Sequence, residues 1–600
     1  MTKGKLKIHT ENILPIIKKW LYSNKDIFIR ELVSNASDAL GKLRILRDNG
    51  ETEVIDEDLT ISVTIDKQAS TITITDTGIG MSSEEVEKYI TQVAFSGAEE
   101  FLGKYKNQNE KESIIGHFGL GFYSAYMVAE KVTINTLSYQ PNATAAFWEC
   151  DGSPDYTLET SSKPSRGTEI TLYVDKESDE FLEESRLEEL LLKYCAFFPF
   201  PITLNGTLIN PRAPLWMKPA NECTEKEYID FFHQLYPAEP DPLFWIHLNV
   251  DYPFNLKGIL YFPKMGRRFD WSQNSIKLFC NRVFVSDNCK DLIPEYLMIL
   301  KGAIDSPDIP LNVSRSTLQM DRTVKQLATH ISKKIVDRLL SLYETDRSHF
   351  IATWPDIEVI VKLGLLQDDK FYTRAKEFLI WKNTQDNSWM TLDEYITRND
   401  KQKIFYTTDE KNPLLSLYKE QKIEVLLANG HIDSALMNFL ESKLSPVKFQ
   451  RIDGAIDQAI TDSSREKTLL DAQGKTEASR IADFIRSALS ETEVEAKSLH
   501  HNSLPAFIVV DENMRRMREA MALSGQALPT HFGNKGKLVV NTNSPLIHAI
   551  FGLKDKKPSL AKELAAQVYD LSLLSQKELG PDQLTQFIDR SNRIYEELLS

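Results

Sequence analysis

Phe28-Ile-Arg-Glu31-Leu-Val-Ser-Asn35-Ala-Ser-Asp38-Ala-Leu40 is the stretch from which the rest of this 600-residue chain is read. Apolar residues at Ile29, Leu32, Val33, Ala36, Ala39 and Leu40 recur at helical spacing, which predicts an amphipathic helix. Glu31 and Asn35 are one helical turn apart and stack on a single face, and Asp38 continues that polar stripe. A carboxylate beside a carboxamide suits a magnesium-bound phosphate: the Asn oxygen is a hard ligand and the Glu can polarise a water. The same stripe also fits a solvated face, and the helix alone does not separate the two.

Composition sets the frame. With 42% hydrophobic and 26% charged residues the chain is of globular type, and its length calls for roughly three to five domains. No run reaches the ~18 apolar residues of a membrane helix. Ile13-Leu-Pro-Ile-Ile17, followed by Lys18-Lys19, lacks the cleavage site of a signal peptide. Cys150, Cys195, Cys223, Cys280 and Cys289 form no CxxC pair and no metal-ligand spacing, which fits packed thiols in a reducing cytoplasm. A net charge of −15 opposes duplex DNA as the main partner and fits a protein that handles other proteins or small molecules.

Along the chain, residues 5–9 read as an edge strand and 12–21 as a helix with Pro15 in its first turn. Residues 59–65 and 71–75 alternate strictly, predicting two half-buried strands joined by the polar turn 66–70. The second strand runs into Asp76-Thr-Gly78-Ile-Gly80-Met81, a carboxylate at a pocket floor beside backbone that a flat ligand can approach. A polar loop at 104–112 leads to Gly116-His-Phe118-Gly119-Leu120-Gly121-Phe122, predicted to open a helix whose N–H groups hold phosphates. Strands at 132–136 and 169–174 complete an α+β layer, with Gly167-Thr168 placed to donate to a base or its bound water. Gly474-Lys475-Thr476 has Leu469 where a phosphate loop needs its first glycine, and reads as a surface loop.

ExxxN, DxGxG, GxxGxG and GT thus follow in order over about 140 residues. Each is a common pattern alone. Together they resemble the nucleotide site of the ATPase group that includes gyrase B, histidine kinases, MutL and the ninety-kilodalton heat-shock chaperones (the GHKL or Bergerat group). The longer stretches 22–40, Phe118-Gly-Leu-Gly-Phe-Tyr-Ser-Ala-Tyr126 and Leu311-Asn-Val-Ser-Arg-Ser-Thr-Leu-Gln319 resemble the heat-shock chaperone branch in its bacterial form. That likeness runs from about residue 5 to the C-terminus.

The resemblance implies a multidomain α+β protein. An α/β-sandwich ATP-binding domain would span 1–210, with a lid at about 96–116. An α/β middle domain would span 211–475, and a mainly helical dimerisation domain 476–600. Glu31 is implied as general base, Asn35 as a magnesium ligand through its side-chain oxygen, and Asp76 as the acceptor from the adenine amino group. Asp38, Gly80, Met81, Ser96, Gly97, Gly116, Phe118, Gly119, Leu120, Gly121, Phe122 and Thr168 complete the implied nucleotide site. Arg315, supported by Gln319, is implied to reach the γ-phosphate from the middle domain, so that hydrolysis requires the domains to close on ATP. Three positions depart from the family pattern: Phe95 replaces a usual lysine, His117 a glutamine and Gly41 an aspartate. The first of these removes a polar lid contact.

Beyond this domain, the acidic stretch 175–189 reads as a helix or tight connector, where eukaryotic relatives carry a long charged linker. From Pro211 the composition shifts to aromatics; 276–280 and 283–285 read as strands and 292–301 as a helix. Residues 311–319 read as a loop entering a helix, with Ser314 or Ser316 as its cap. Phe269 and Trp271 either pack inward or, as the resemblance implies, touch client proteins. Residues 463–480 are polar and read as a boundary. Met514, Met517 and Met521 stripe one helix face; such a stripe is more often core, yet the resemblance puts a client-contacting helix here. Leu584, Phe587, Ile588, Ile594 and Leu598 give the last helix an apolar face that fits a symmetric dimer seam.

The expected function is an ATP-hydrolysing, homodimeric, cytoplasmic chaperone that clamps non-native proteins. Its cofactors are ATP and Mg2+, it cooperates with other chaperones, and neither nucleic acid nor membrane is a partner. A DNA-handling ATPase of the same group would instead show turnover stimulated by DNA, and a protein-holding module would use no ATP. A histidine kinase would carry a phospho-acceptor helix ahead of its ATP domain.

Overall fold

Nearly the whole circumference of helix α1 (Ile27–Asp48) is buried, including Arg30, Glu31, Ser34, Ser37 and Asp38. The computed structural model describes residues 24–53, 59–93, 95–104, 116, 119–264, 275–287, 292–309, 322–399, 403–430, 432–462, 464, 474–489, 492–523, 536–576 and 579–599. Phe28, Ile29, Leu32, Val33 and Leu40 are fully buried, each a gain of about 1.5–3 kcal/mol. A solvated-face reading of the polar stripe is excluded. Carboxylates this deep persist only where hydrogen bonds and counter-charges receive them.

The chain divides into two compact units, Met1–Arg338 and Leu339–Ser600. In the first, α1 packs on an eight-stranded sheet of β1 (Ile61–Asp66), β2 (Thr71–Asp76), β3 (Ala129–Leu137), β4 (Ala146–Cys150), β5 (Thr157–Thr160), β6 (Gly167–Val174), β7 (Ile202–Leu204) and β8 (Thr207–Leu208). Its order is β5-β4-β3-β6-β2-β1-β7-β8, and all neighbours are antiparallel except β1 and β7. The register sets Asp76, the last residue of β2, opposite Thr168 of β6, which in turn faces Thr136 of β3. Short helices α2 (Ser83–Tyr89) and α3 (Gly97–Lys104) follow β2; a capping box between Ser82 and Glu85 starts α2. The acidic connector is helical, a 3-10 turn at Lys176–Leu182 and then α4 (Glu184–Cys195). Residues 5–21, predicted as a strand and a helix, lie outside the described residues.

A second sheet in this unit contains β9 (Phe244–Val250), β10 (Leu256–Phe262), β11 (Ser275–Cys280), β12 (Val283–Ser286) and β13 (Lys301–Asp305), ordered β12-β11-β13-β10-β9. The apolar core runs continuously from Ile27 to Ala303. The helix predicted at 292–301 is not formed. Pro294 is followed by one 3-10 turn, Glu295–Leu297, and Lys301 enters a strand between β10 and β11. The buried Leu292, Ile293, Tyr296, Leu297 and Leu300 carry helical spacing, but sheet pairing overrides it. Helix α5 (Arg322–Thr345) begins just beyond 311–319, which lies outside the described residues, as do Phe269 and Trp271.

The second unit holds helix α6 (Arg347–Gln367), a five-stranded sheet and a three-stranded sheet. Its further helices include α7 (Asp433–Lys443), α8 (Glu477–Ala488), α9 (Glu512–Leu523), α10 (Pro558–Ser575) and α11 (Pro581–Leu599). Thr476 accepts from the Ser479 amide and caps α8, so the stretch read as a boundary already turns helical at Glu477. The methionine stripe of α9 is not core: Met514 and Met517 are 36% and 43% exposed, whereas Arg515 and Arg516 are buried. Arg516 donates to Glu512 at 2.7 Å, to Glu441 at 3.2 Å and to the Phe449 carbonyl at 3.2 Å. A fully received guanidinium can anchor a helix as an apolar side chain does. On α11 only Ile594 is buried, while Leu584, Ile588, Tyr595 and Leu598 are exposed.

Candidate functional site

The polar stripe of α1 faces a cavity of about 420 Å³. Glu31, Asn35, Asp38, Asp76, Gly80, Met81, Ser96, Gly97, Gly116, Gly119, Leu120, Gly121, Phe122 and Thr168 all line it. Phe118, Arg315 and Gln319 lie outside the described residues.

At one end, Asp76 is buried and accepts the Gly78 amide at 2.8 Å. Burial pushes its carboxyl up to about 7, against the Gly78 and Thr168 amides and Lys163, which favour the anion. The DxGxG turn is clamped on both sides. The Ile79 amide donates to the Ala39 carbonyl of α1 at 3.2 Å, and the Met81 amide to Thr136 Oγ1 at 2.9 Å. Thr136 Oγ1 in turn lies 3.0 Å from Thr168 Oγ1. Gly80 holds φ +63°, and a Cβ there would stand 1.8 Å from the Leu137 carbonyl oxygen, so no other residue fits.

At the other end, Glu31 is buried and receives Arg30 Nε at 3.1 Å and Nη2 at 2.7 Å on a single oxygen. Its second oxygen faces Gly121, where a Cβ would come within 2.7 Å. The glycine-rich loop opens a helix as predicted, but not an α-helix. It leads into a 3-10 helix, Gly121–Met127, closed by i to i+3 contacts such as Tyr123 N–H to Leu120 O at 3.2 Å. Phe122 to Met127 are all buried, and the tight spiral seats these side chains in the core while Gly116 and Gly119 to Phe122 border the cavity.

Asp38 accepts the Gly116 amide at 2.6 Å, and Ser96 Oγ donates to the Gly116 carbonyl at 3.3 Å. Lys42 also lines the wall; burial pushes its ammonium below the usual lysine range, opposed by Asp38 and Glu85. The sequence reading missed Lys42, although it continues the stripe Glu31, Asn35, Asp38 by one further turn. It missed Thr136 too, whose place follows from strand register alone.

This arrangement has the buried Asp76 carboxyl at one end and the buried Glu31 carboxylate, held by Arg30 beside glycine backbone, at the other. It defines a class of ATPase. Residues 22–174 match the sequence family described as histidine kinase-, DNA gyrase B- and HSP90-like ATPase, and residues 203–600 match the family described as Hsp90 protein. The chain is 43% identical over 593 residues to "Chaperone protein htpG" of Bacteroides fragilis (strain YCH46), covering 94% of this chain and 86% of that protein. It is 42% identical over 614 residues to "Chaperone protein HtpG" of Bacteroides thetaiotaomicron, covering 96% and 88%. It is 41% identical over 614 residues to that of Porphyromonas gingivalis (strain W83), covering 97% and 89%. The chain belongs to the Hsp90 family and is an ATP-dependent molecular chaperone.

Proposed function

We propose that the cavity beside α1 holds ATP with its adenine amino group on Asp76 and its phosphates between Glu31 and the loop Gly116–Phe122. One observation carries this reading: every described residue of the implied nucleotide set lines the same cavity. Glu31 acts as general base, taking a proton from the water that attacks the γ-phosphate. Arg30 neutralises its buried charge and fixes its orientation. Met81, Ser96, Gly97, Leu120 and Thr168 shape the walls.

The donors fit magnesium. Asn35 offers a hard oxygen at the wall, beside the carboxylates of Glu31 and Asp38. Asn35 would hold Mg2+ through its side-chain oxygen, and the ion would supply neutralisation of phosphate charge.

Arg315 and Gln319 complete the site from the segment beyond β13, as the family resemblance implies, and hydrolysis is thereby tied to closure around ATP. The exposed apolar stripe of α11 pairs two copies into a homodimer. Met514, Met517 and Met521, with Phe269 and Trp271, contact non-native proteins, supported by the exposure of Met514 and Met517. The work is done in the cytoplasm, together with other chaperones. Among the described residues no helix is long and apolar enough to cross a membrane.

The test is Arg315→Ala and Gln319→Ala in the full chain. ATP affinity is expected to stay within about threefold while turnover falls at least about tenfold for Arg315→Ala, and less for Gln319→Ala. Full turnover in Arg315→Ala would confine catalysis to the first 210 residues.

A further inference from the structure

Helix α2 and residues 95–104 meet in a side-chain cluster that the nucleotide contacts do not account for. The rings of Tyr89 and Phe95 stack with centroids 6.0 Å apart and planes 18° apart. Lys88 Nζ lies 5.2 Å from the Tyr89 ring centre and 5.6 Å from that of Phe95. It also donates to Glu100 Oε2 at 2.7 Å, and the Tyr89 hydroxyl donates to that same oxygen at 3.3 Å. Four side chains, two from α2 and two from 95–104, therefore form one closed set. Gly97 lets them meet, since a Cβ there would stand 2.8 Å from the Tyr89 ring. Tyr89, Phe95, Gly97 and Glu100 are also part of the cavity wall.

We propose that Lys88, Tyr89, Phe95 and Glu100 form a latch that holds residues 95–104 against α2 in the nucleotide-free protein, and that its release sets how fast this wall rearranges around ATP. The second half of the proposal rests on the ATP-site reading above; the latch itself does not. Its strength suits repeated opening. Ion pairs and cation–π contacts at a solvent boundary are individually weak and screened by salt, and Phe95, 37% exposed, is held through one ring face rather than by the core. The Lys88–Glu100 contact raises the ammonium's pKa and lowers the carboxyl's, so both are charged across the neutral range.

The experiment is hydrogen exchange on the full, nucleotide-free chain for Lys88→Ala, Phe95→Ala and Glu100→Gln, with ATP turnover measured on the same samples. Amides of 97–104 are expected to exchange about three- to tenfold faster in each variant, the range that weak boundary contacts carry, while α1 and β2 stay unchanged. Turnover is expected to rise by a similar factor. Unchanged exchange in Lys88→Ala and Phe95→Ala overturns the latch, and faster exchange with unchanged turnover overturns its role in setting the rate. Absence of turnover in the wild type would count against the ATPase reading instead, and the exchange result would still decide the latch.

Discussion

If adenine sits on Asp76 as proposed, its binding is coupled to the protonation of this carboxyl. Its folded carboxyl sits at about 7 against an ordinary 3.8, because burial disfavours the anion more than the Gly78 and Thr168 amides favour it. An adenine amino group donates, so it binds the anion better. Nucleotide affinity is therefore predicted to rise as pH rises through 7, with proton uptake by buffer below that point. Calorimetry in buffers of different ionisation enthalpy checks this, and an affinity that is flat from pH 6 to 8 contradicts it. Stability runs the other way. Between 3.8 and about 7 the folded state holds a proton that the unfolded state has released, so this group's contribution falls as pH rises. Asp76→Asn, which keeps an acceptor for both amides, is predicted to melt higher than the wild type at pH 8 while losing nucleotide affinity. At this scale the sequence is legible in setting Glu31, Asn35 and Asp76 on the wall of one cavity. It is not legible at Lys42, because lysines on helices are ordinarily solvated, nor at Thr136, whose role exists only through its register with Thr168.

Elements follow local pattern until a partner overrides it. Strands β1 and β2 fall within two residues of their predicted ends because strict alternation reports a half-buried sheet face directly. The stretch 292–301 fails because the strand position between β10 and β11 is set by distant residues. Helix α9 shows the same limit in another form. Its methionines look like core, yet the chain spends the inward positions on Arg515 and Arg516. Arg516→Ala is predicted to destabilise the protein by on the order of 3–5 kcal/mol, since Glu512 and Glu441 would lose a buried counter-charge. Met517→Ser should change it by less than about 0.5 kcal/mol. Denaturant titration of the two variants separates them, and comparable effects would mean that the helix packs through its methionines.

For the whole molecule, the order of motifs along the chain carried more than any one of them, since ExxxN, DxGxG, GxxGxG and GT converge on a single cavity. The exposed stripe of α11 is what supports the proposed pairing of two copies. Single apolar residues on a surface need no explanation, but Leu584, Ile588, Tyr595 and Leu598 repeat along one helix at 41%, 50%, 64% and 64% exposure. Ile588→Glu with Leu598→Glu is predicted to convert a dimer into monomers in sedimentation while leaving ATP affinity unchanged; a dimer persisting in that variant would place the seam elsewhere. The central claim, that this cavity hydrolyses ATP with Glu31 as its base, is tested most directly by ATP turnover of the purified chain beside Glu31→Ala, with nucleotide affinity measured for both. Slow turnover is expected in the wild type, and in the variant bound ATP that is not hydrolysed. Turnover at the wild-type rate in Glu31→Ala would contradict it.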